Sequence, residues 1–117
     1  MKPSSAKSKG RTFQQWVRDR ILDKFSLHPD DVKSTSMGAN GEDVQLSYAA
    51  RQCFPYQIEC KSRSKIAIYG YYEQAQEHGD KHEPVVFVKQ NRSKPLVIVD
   101  AEHFIELVKK ANQSDMV

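Results

Sequence analysis

Between Asp43 and Lys61 the chain twice alternates polar and apolar residues with a period of two. In the first stretch Val44, Leu46 and Tyr48 fall on one side, and Asp43, Gln45 and Ser47 on the other. In the second, Tyr56, Ile58 and Cys60 face one way, while Gln57, Glu59 and Lys61 share the opposite face. Successive side chains of a strand point to opposite faces of its sheet, so each stretch predicts a half-buried strand. Ala49 to Pro55 make the connection between them.

The flanking segments follow a helical period. From Thr12 onward, Phe13, Trp16, Val17, Ile21 and Phe25 recur at three- and four-residue spacing and predict one buried stripe. Thr12 can cap this helix, and Pro29 closes the region. Residues 32–37 read as a first strand, followed by a turn at Gly38–Gly41. A second helix is expected over Ile68–His78, ended by Gly79. Val85–Val88 and Leu96–Val99 are short continuous apolar runs that suit central strands, with a turn at Asn91–Pro95. Asp100 then caps a final helix carrying Phe104, Leu107, Val108 and Ala111. The order is αβββαββα, an α/β (α+β) arrangement with a central mixed sheet flanked by helices. A chain of 117 residues fits one domain, expected over 10–112. Residues 1–9 read as a flexible basic arm and 113–117 as a frayed tail.

No apolar run approaches the roughly 20 residues of a membrane-spanning helix. The basic, Ser-rich N-terminus has no apolar stretch behind it and does not read as a secretory signal. Cys53 and Cys60 lack the spacing of a zinc site and fit a reducing compartment. A cytoplasmic location is expected. The net charge is +3, and the basic residues cluster at Lys2–Arg11, around Arg51–Lys65, and at Lys89–Lys94. Brought to one face, such clusters make a track for phosphates; left apart, they are ordinary solvated charge.

The chemistry concentrates at Ile58-Glu-Cys-Lys61. Alternation sets Glu59 and Lys61 side by side and turns Cys60 into the core. A carboxylate can hold a divalent ion, and an ammonium beside it can neutralise charge on a phosphate. If the two alternating strands pair as a hairpin centred near Gln52, Asp43 lies opposite Lys61 and diagonal to Glu59. Diagonal neighbours on one face have Cα atoms roughly 7–8 Å apart, close enough for two carboxylates to share one ion. A slip of one residue would send Asp43 to the other face. All-oxygen ligands favour Mg²⁺ or Mn²⁺ over zinc.

With these residues in view, the chain resembles the PD-(D/E)xK nuclease superfamily, most closely its small resolvase-type members, among them archaeal Holliday-junction resolvases and short phage endonucleases. Gly41-Glu-Asp43-Val and Ile58-Glu-Cys-Lys61 match its core. Lys9-Gly10-Arg11 matches the opening of its first helix, Gln74 a helical glutamine after the catalytic lysine, and Val86-Phe-Val-Lys89 a later strand ending in lysine. The resemblance implies a restriction-endonuclease-like core and a Mg²⁺-dependent (or Mn²⁺-dependent) endonuclease that hydrolyses DNA phosphodiesters, acting on branched or nicked DNA as a homodimer, in a bacterial host cell if of phage origin. Asp43, Glu59 and the backbone carbonyl of Cys60 would hold the metal, Lys61 would be the catalytic lysine, and Gln74 would position it, a water or a phosphate. Lys9, Arg11, Gln14, Arg63, Lys65 and Lys89 would contact DNA. Two positions depart from the pattern: Glu42 replaces the family's proline, and Gln14 stands where resolvases carry a glutamate.

Each feature also has a plainer reading. Glu59 and Lys61 alone would be a surface ion pair, Asp43 alone turn chemistry, and Gln74 a solvated amide. His78 and His82 have metal-compatible spacing, but Gly79 and Asp80 end the helix between them. Tyr69, Tyr71 and Tyr72 can stack on bases or pack in the core. The alternative function is a DNA-binding module that keeps the nuclease fold with little or no activity; a protein–protein adaptor would lack both metal and DNA affinity.

Overall fold

The computed structural model describes residues 3–35, 42–78 and 81–115. Helix α1 (Pro3–Phe25) opens the chain, and a short 3-10 turn (Pro29–Asp31) leads into strand β1 (Val32–Ser34). Strand β2 (Val44–Leu46), helix α2 (Tyr48–Cys53) and strand β3 (Tyr56–Arg63) follow. Helix α3 (Ile68–His78) crosses to strand β4 (Glu83–Gln90), which is followed by strand β5 (Leu96–Ile98) and helix α4 (Ala101–Asp115). The five strands lie in the order β1-β2-β3-β4-β5. Among the described residues, only β3 and β4 run parallel, with α3 supplying the crossover that parallel neighbours need. The sheet is therefore mixed, with helices packed on it.

Both faces of the sheet are covered. Phe13, Val17 and Ile21 of α1 pack with Val32, Val44, Ile58, Cys60 and Val85. On the other face Ala75 of α3 packs with Val86 and Val88, with Tyr71, Tyr72 and Ile98 alongside. Strand β3 is buried on both sides, which is why Glu59 is as enclosed as Ile58.

The chain's own chemistry sets the element ends. Ser26 takes a left-handed conformation (φ 51°), and Leu27 N–H donates to Leu22 O at 3.1 Å. This closes α1 in a Schellman pattern, with serine where glycine is usual. Ser47 Oγ accepts from Ala50 N–H at 3.1 Å and starts α2. Asp100 Oδ2 accepts from His103 N–H at 2.9 Å and caps α4, as the sequence predicts.

Several expectations need correction. Helix α1 begins at Pro3, so the segment read as a loose arm is helical from there, with proline in the first turn where its missing N–H costs nothing. Trp16 and Phe25 lie at the margins of the expected stripe and stay 39% and 43% exposed. Strand β1 ends at Ser34; the remainder of the expected strand past Thr35 and the Gly38–Gly41 turn lie outside the described residues, as does Gly79. The link between β2 and β3 is a helix, and it carries Tyr48 out of the strand into solvent. Strand β5 is an edge strand: Leu96 and Val97 are about half exposed. Helix α4 continues to Asp115, and its apolar residues Phe104, Ile105, Leu107 and Val108 remain exposed. It is tied to the body by His103, whose Nε2 lies 2.7 Å from Tyr56 Oη.

Candidate functional site

Asp43 immediately precedes β2. Its N–H donates to Ile58 O at 2.9 Å, and its Oδ2 accepts from Cys60 N–H at 2.8 Å. Beside it, Glu42 Oε2 accepts from Ile58 N–H at 3.3 Å. The ladder between β2 and β3 is short, with Val44 paired to Ile58, and carboxylates extend it where the backbone stops. This register sets Asp43 across from Glu59, two residues away from the expected partner Lys61. A shift of two preserves the face, so Asp43, Glu59 and Lys61 still share one side of the sheet.

Glu42 belongs to a clamp. Arg51 of α2 holds it with a forked pair of hydrogen bonds and also donates to Tyr56 O at 2.6 Å. Both side chains are mostly buried. A guanidinium fork matches a carboxylate in geometry, so the pair fixes α2 against the start of β2 and β3. Glu42 thus has a structural partner of its own.

Glu59 is 2% exposed and lies on the α3 side of the sheet. His78 Nδ1, from the last turn of α3, is 2.5 Å from its Oε1. Burial pushes the Glu59 carboxyl above its ordinary range; the hydrogen bond from His78 pulls it back, and the charge of Asp43 raises it again. The negative charge that Asp43 sets beside buried Glu59 makes this a place where a cation is favoured. Lys61, two residues on, has its Nζ 5.5 Å from the centre of the Tyr71 ring. Between them Cys60 turns to the α1-side core, where burial pushes its thiol well up and leaves it a packing residue.

The other expected site residues are dispersed. Gln74 is exposed on α3, one helical turn before His78 on the same stripe. Gln14 is buried and accepts a hydrogen bond from Ser34 Oγ at 2.9 Å, so it ties α1 to β1 and does not offer DNA a surface. Arg11, Arg63 and Lys65 are exposed. Lys9 and Lys89 come together in a cleft of about 650 Å³ with Trp16, Asn91 and Arg92. The basic groups therefore meet only in part.

His78 is the residue that sequence reasoning missed. Its spacing was weighed against His82, whereas its partner is a carboxylate on a neighbouring strand. The helical period sets residues 71, 75 and 78 on one side of α3, but it does not say which strand residue that side meets.

Among the described residues, no group of three or more His, Cys, Asp or Glu side chains is arranged to hold a metal ion. The expected ligand set has two such side chains and a main-chain carbonyl, and does not require one. Among the described residues, no helix is long and apolar enough to cross a membrane. Comparison with protein-family models, with curated proteins and with solved structures finds no match.

Proposed function

We propose that the chain is a metal-dependent phosphodiesterase of the PD-(D/E)xK type. More particularly, we read it as a small resolvase-like DNA endonuclease acting on branched or nicked DNA. The observation that carries this reading is the grouping of Asp43, Glu59 and Lys61 on one sheet face, with Asp43 bonded to the residue between the other two.

The donors fit a hard divalent cation. Asp43, Glu59 and the carbonyl of Cys60 would hold Mg²⁺ or Mn²⁺. Bound there, the ion would polarise the scissile phosphate and lower the pKa of a bound water. Lys61 neutralises charge that develops on the phosphate, and the Tyr71 ring steadies its ammonium without removing the charge. His78 orients the Glu59 carboxylate from the side of α3. Gln74, one turn before His78 and exposed, would contact a phosphate or water.

The exposed apolar residues of α4 support a homodimer, since an apolar helix face of this kind is costly to leave in water. Light scattering after gel filtration tests this directly.

Two observations favour the alternative of a DNA-binding module with little activity. His78 already occupies an oxygen of Glu59, and the position of the family's helical glutamate is neutral Gln14. The deciding experiment incubates the protein with supercoiled plasmid and with a four-way junction, in Mg²⁺, Mn²⁺ or EDTA, beside Asp43→Ala and Lys61→Ala. Metal-dependent cleavage lost in both variants supports the nuclease. Salt-sensitive binding without cleavage supports the binding module.

A further inference from the structure

The cleft lined by Lys9, Trp16, Lys89 and Arg92 lies on the opposite side of the sheet from Glu59 and Lys61. Ser62, which borders it, shares the face of Ile58 and Cys60, and pairs in register with Lys89 of β4. It opens where the parallel strands β3 and β4 end. We propose that this cleft holds an unpaired nucleotide, with its base on Trp16 and its phosphates on Lys89 and Arg92. The proposal rests on the nucleic-acid reading above and names the feature by which single-stranded DNA would be recognised.

Three observations carry it. The first is composition: an accessible indole among cations suits a base and its phosphates, and stacking on an aromatic ring is tolerant of sequence. Phe13 backs the indole with ring centroids 6.0 Å apart and planes 19° apart, so the ring is held as a platform. Arg20 sits over the indole at 5.4 Å. Arg20 does not line the cleft, so the base would rest against the part of the indole that stays exposed within it.

The second is the conformation of Arg92. The turn after β4 closes with Ser93 N–H donating to Gln90 O at 3.0 Å, and Arg92 adopts φ 59°. Glycine or asparagine is the usual occupant of such a position. An arginine there strains the backbone while contributing its side chain to the cleft, and strain of this kind gathers where ligands bind.

The third is preorganisation. Lys9 Nζ donates to Asn91 Oδ1 at 2.9 Å, which fastens α1 to this turn and fixes the width of the cleft before any ligand enters.

Trp16 is the only tryptophan in the chain, so its fluorescence reports on this cleft alone. The test titrates a thymidine oligonucleotide of about eight residues into the protein in EDTA, with a blunt duplex of the same length beside it. Single-stranded DNA is expected to quench the fluorescence in a salt-sensitive way, with the duplex at least fivefold weaker. Arg92→Gly, which relieves the strained φ, should weaken binding at least fivefold with the melting temperature unchanged or raised. No quench, equal response to duplex, or undiminished binding by Arg92→Gly would each overturn the proposal. Cleavage by the same protein without quenching removes the cleft and leaves the nuclease standing; quenching without cleavage does the reverse.

Discussion

Cys60 donates its backbone N–H to Oδ2 of Asp43 at 2.8 Å, so the aspartate is bonded to the residue that separates Glu59 from Lys61. One hydrogen bond thereby fixes the relative position of all three candidate catalytic groups. Asp43→Asn keeps an acceptor for this N–H and removes only the charge. It should leave the melting temperature within a few degrees of wild type and abolish metal-dependent cleavage. Isothermal titration with Mn²⁺ should show at least tenfold weaker binding.

Glu59→Gln should stabilise the fold at neutral pH, because it removes a carboxyl whose ionised form burial disfavours and keeps an acceptor for His78. The pH dependence follows from the raised carboxyl. A folded-state pKa above the unfolded one favours the protonated form. The contribution is therefore full below the unfolded value of about 4.3 and is lost as pH rises through the raised folded value. Urea unfolding across that range should show this decline in wild type and its absence in Glu59→Gln, while cleavage is lost.

Tyr71→Leu removes the ring beside Lys61 and retains an apolar side chain for the α3 core. A cation–π contact of about 0.5–1 kcal/mol corresponds to roughly a two- to fivefold fall in kcat. KM for the DNA should change little. Lys61→Ala should instead lower kcat by about 10²- to 10³-fold, as expected for losing charge stabilisation in the transition state.

Breaking the Glu42–Arg51 pair should cost about 3 kcal/mol, since removing one partner leaves the other buried and uncompensated. Arg51→Met would show this in chemical denaturation. Adding Glu42→Gln to it should recover part of the loss.

Much of the fold was legible because periodicity and punctuation agreed. Helix α3 spans Ile68–His78 as predicted, with Gly79 directly after it in the sequence. Alternation alone showed the shared face of Glu59 and Lys61, and an assumed hairpin pairing added Asp43 to it. The exact register was not legible: the connection at Ala49–Pro55 was taken to be centred near Gln52, whereas Ser47 caps a helix there and the pairing lies two residues away. The edge position of β5 was hidden because a continuous apolar run looks the same at a sheet's centre and at its margin. The first turns of α1 were hidden because Ser and Lys carry no apolar stripe, and Lys9 finds its partner only at distant Asn91. His78 escaped notice because tertiary pairing with Glu59 crosses from a helix to a strand, which local spacing does not encode.

The clamp on Glu42 also bears on how sequences of this type can diverge. Proline at position 42, the residue common in the nuclease pattern, has no carboxylate to offer Arg51, whose remaining hydrogen-bond partner would be the Tyr56 carbonyl. A lineage that acquires that proline must therefore lose the guanidinium at 51 at about the same time. Positions 42 and 51 should covary as a unit, Glu with Arg or Pro with a neutral residue, even while the neighbouring Asp43 stays fixed.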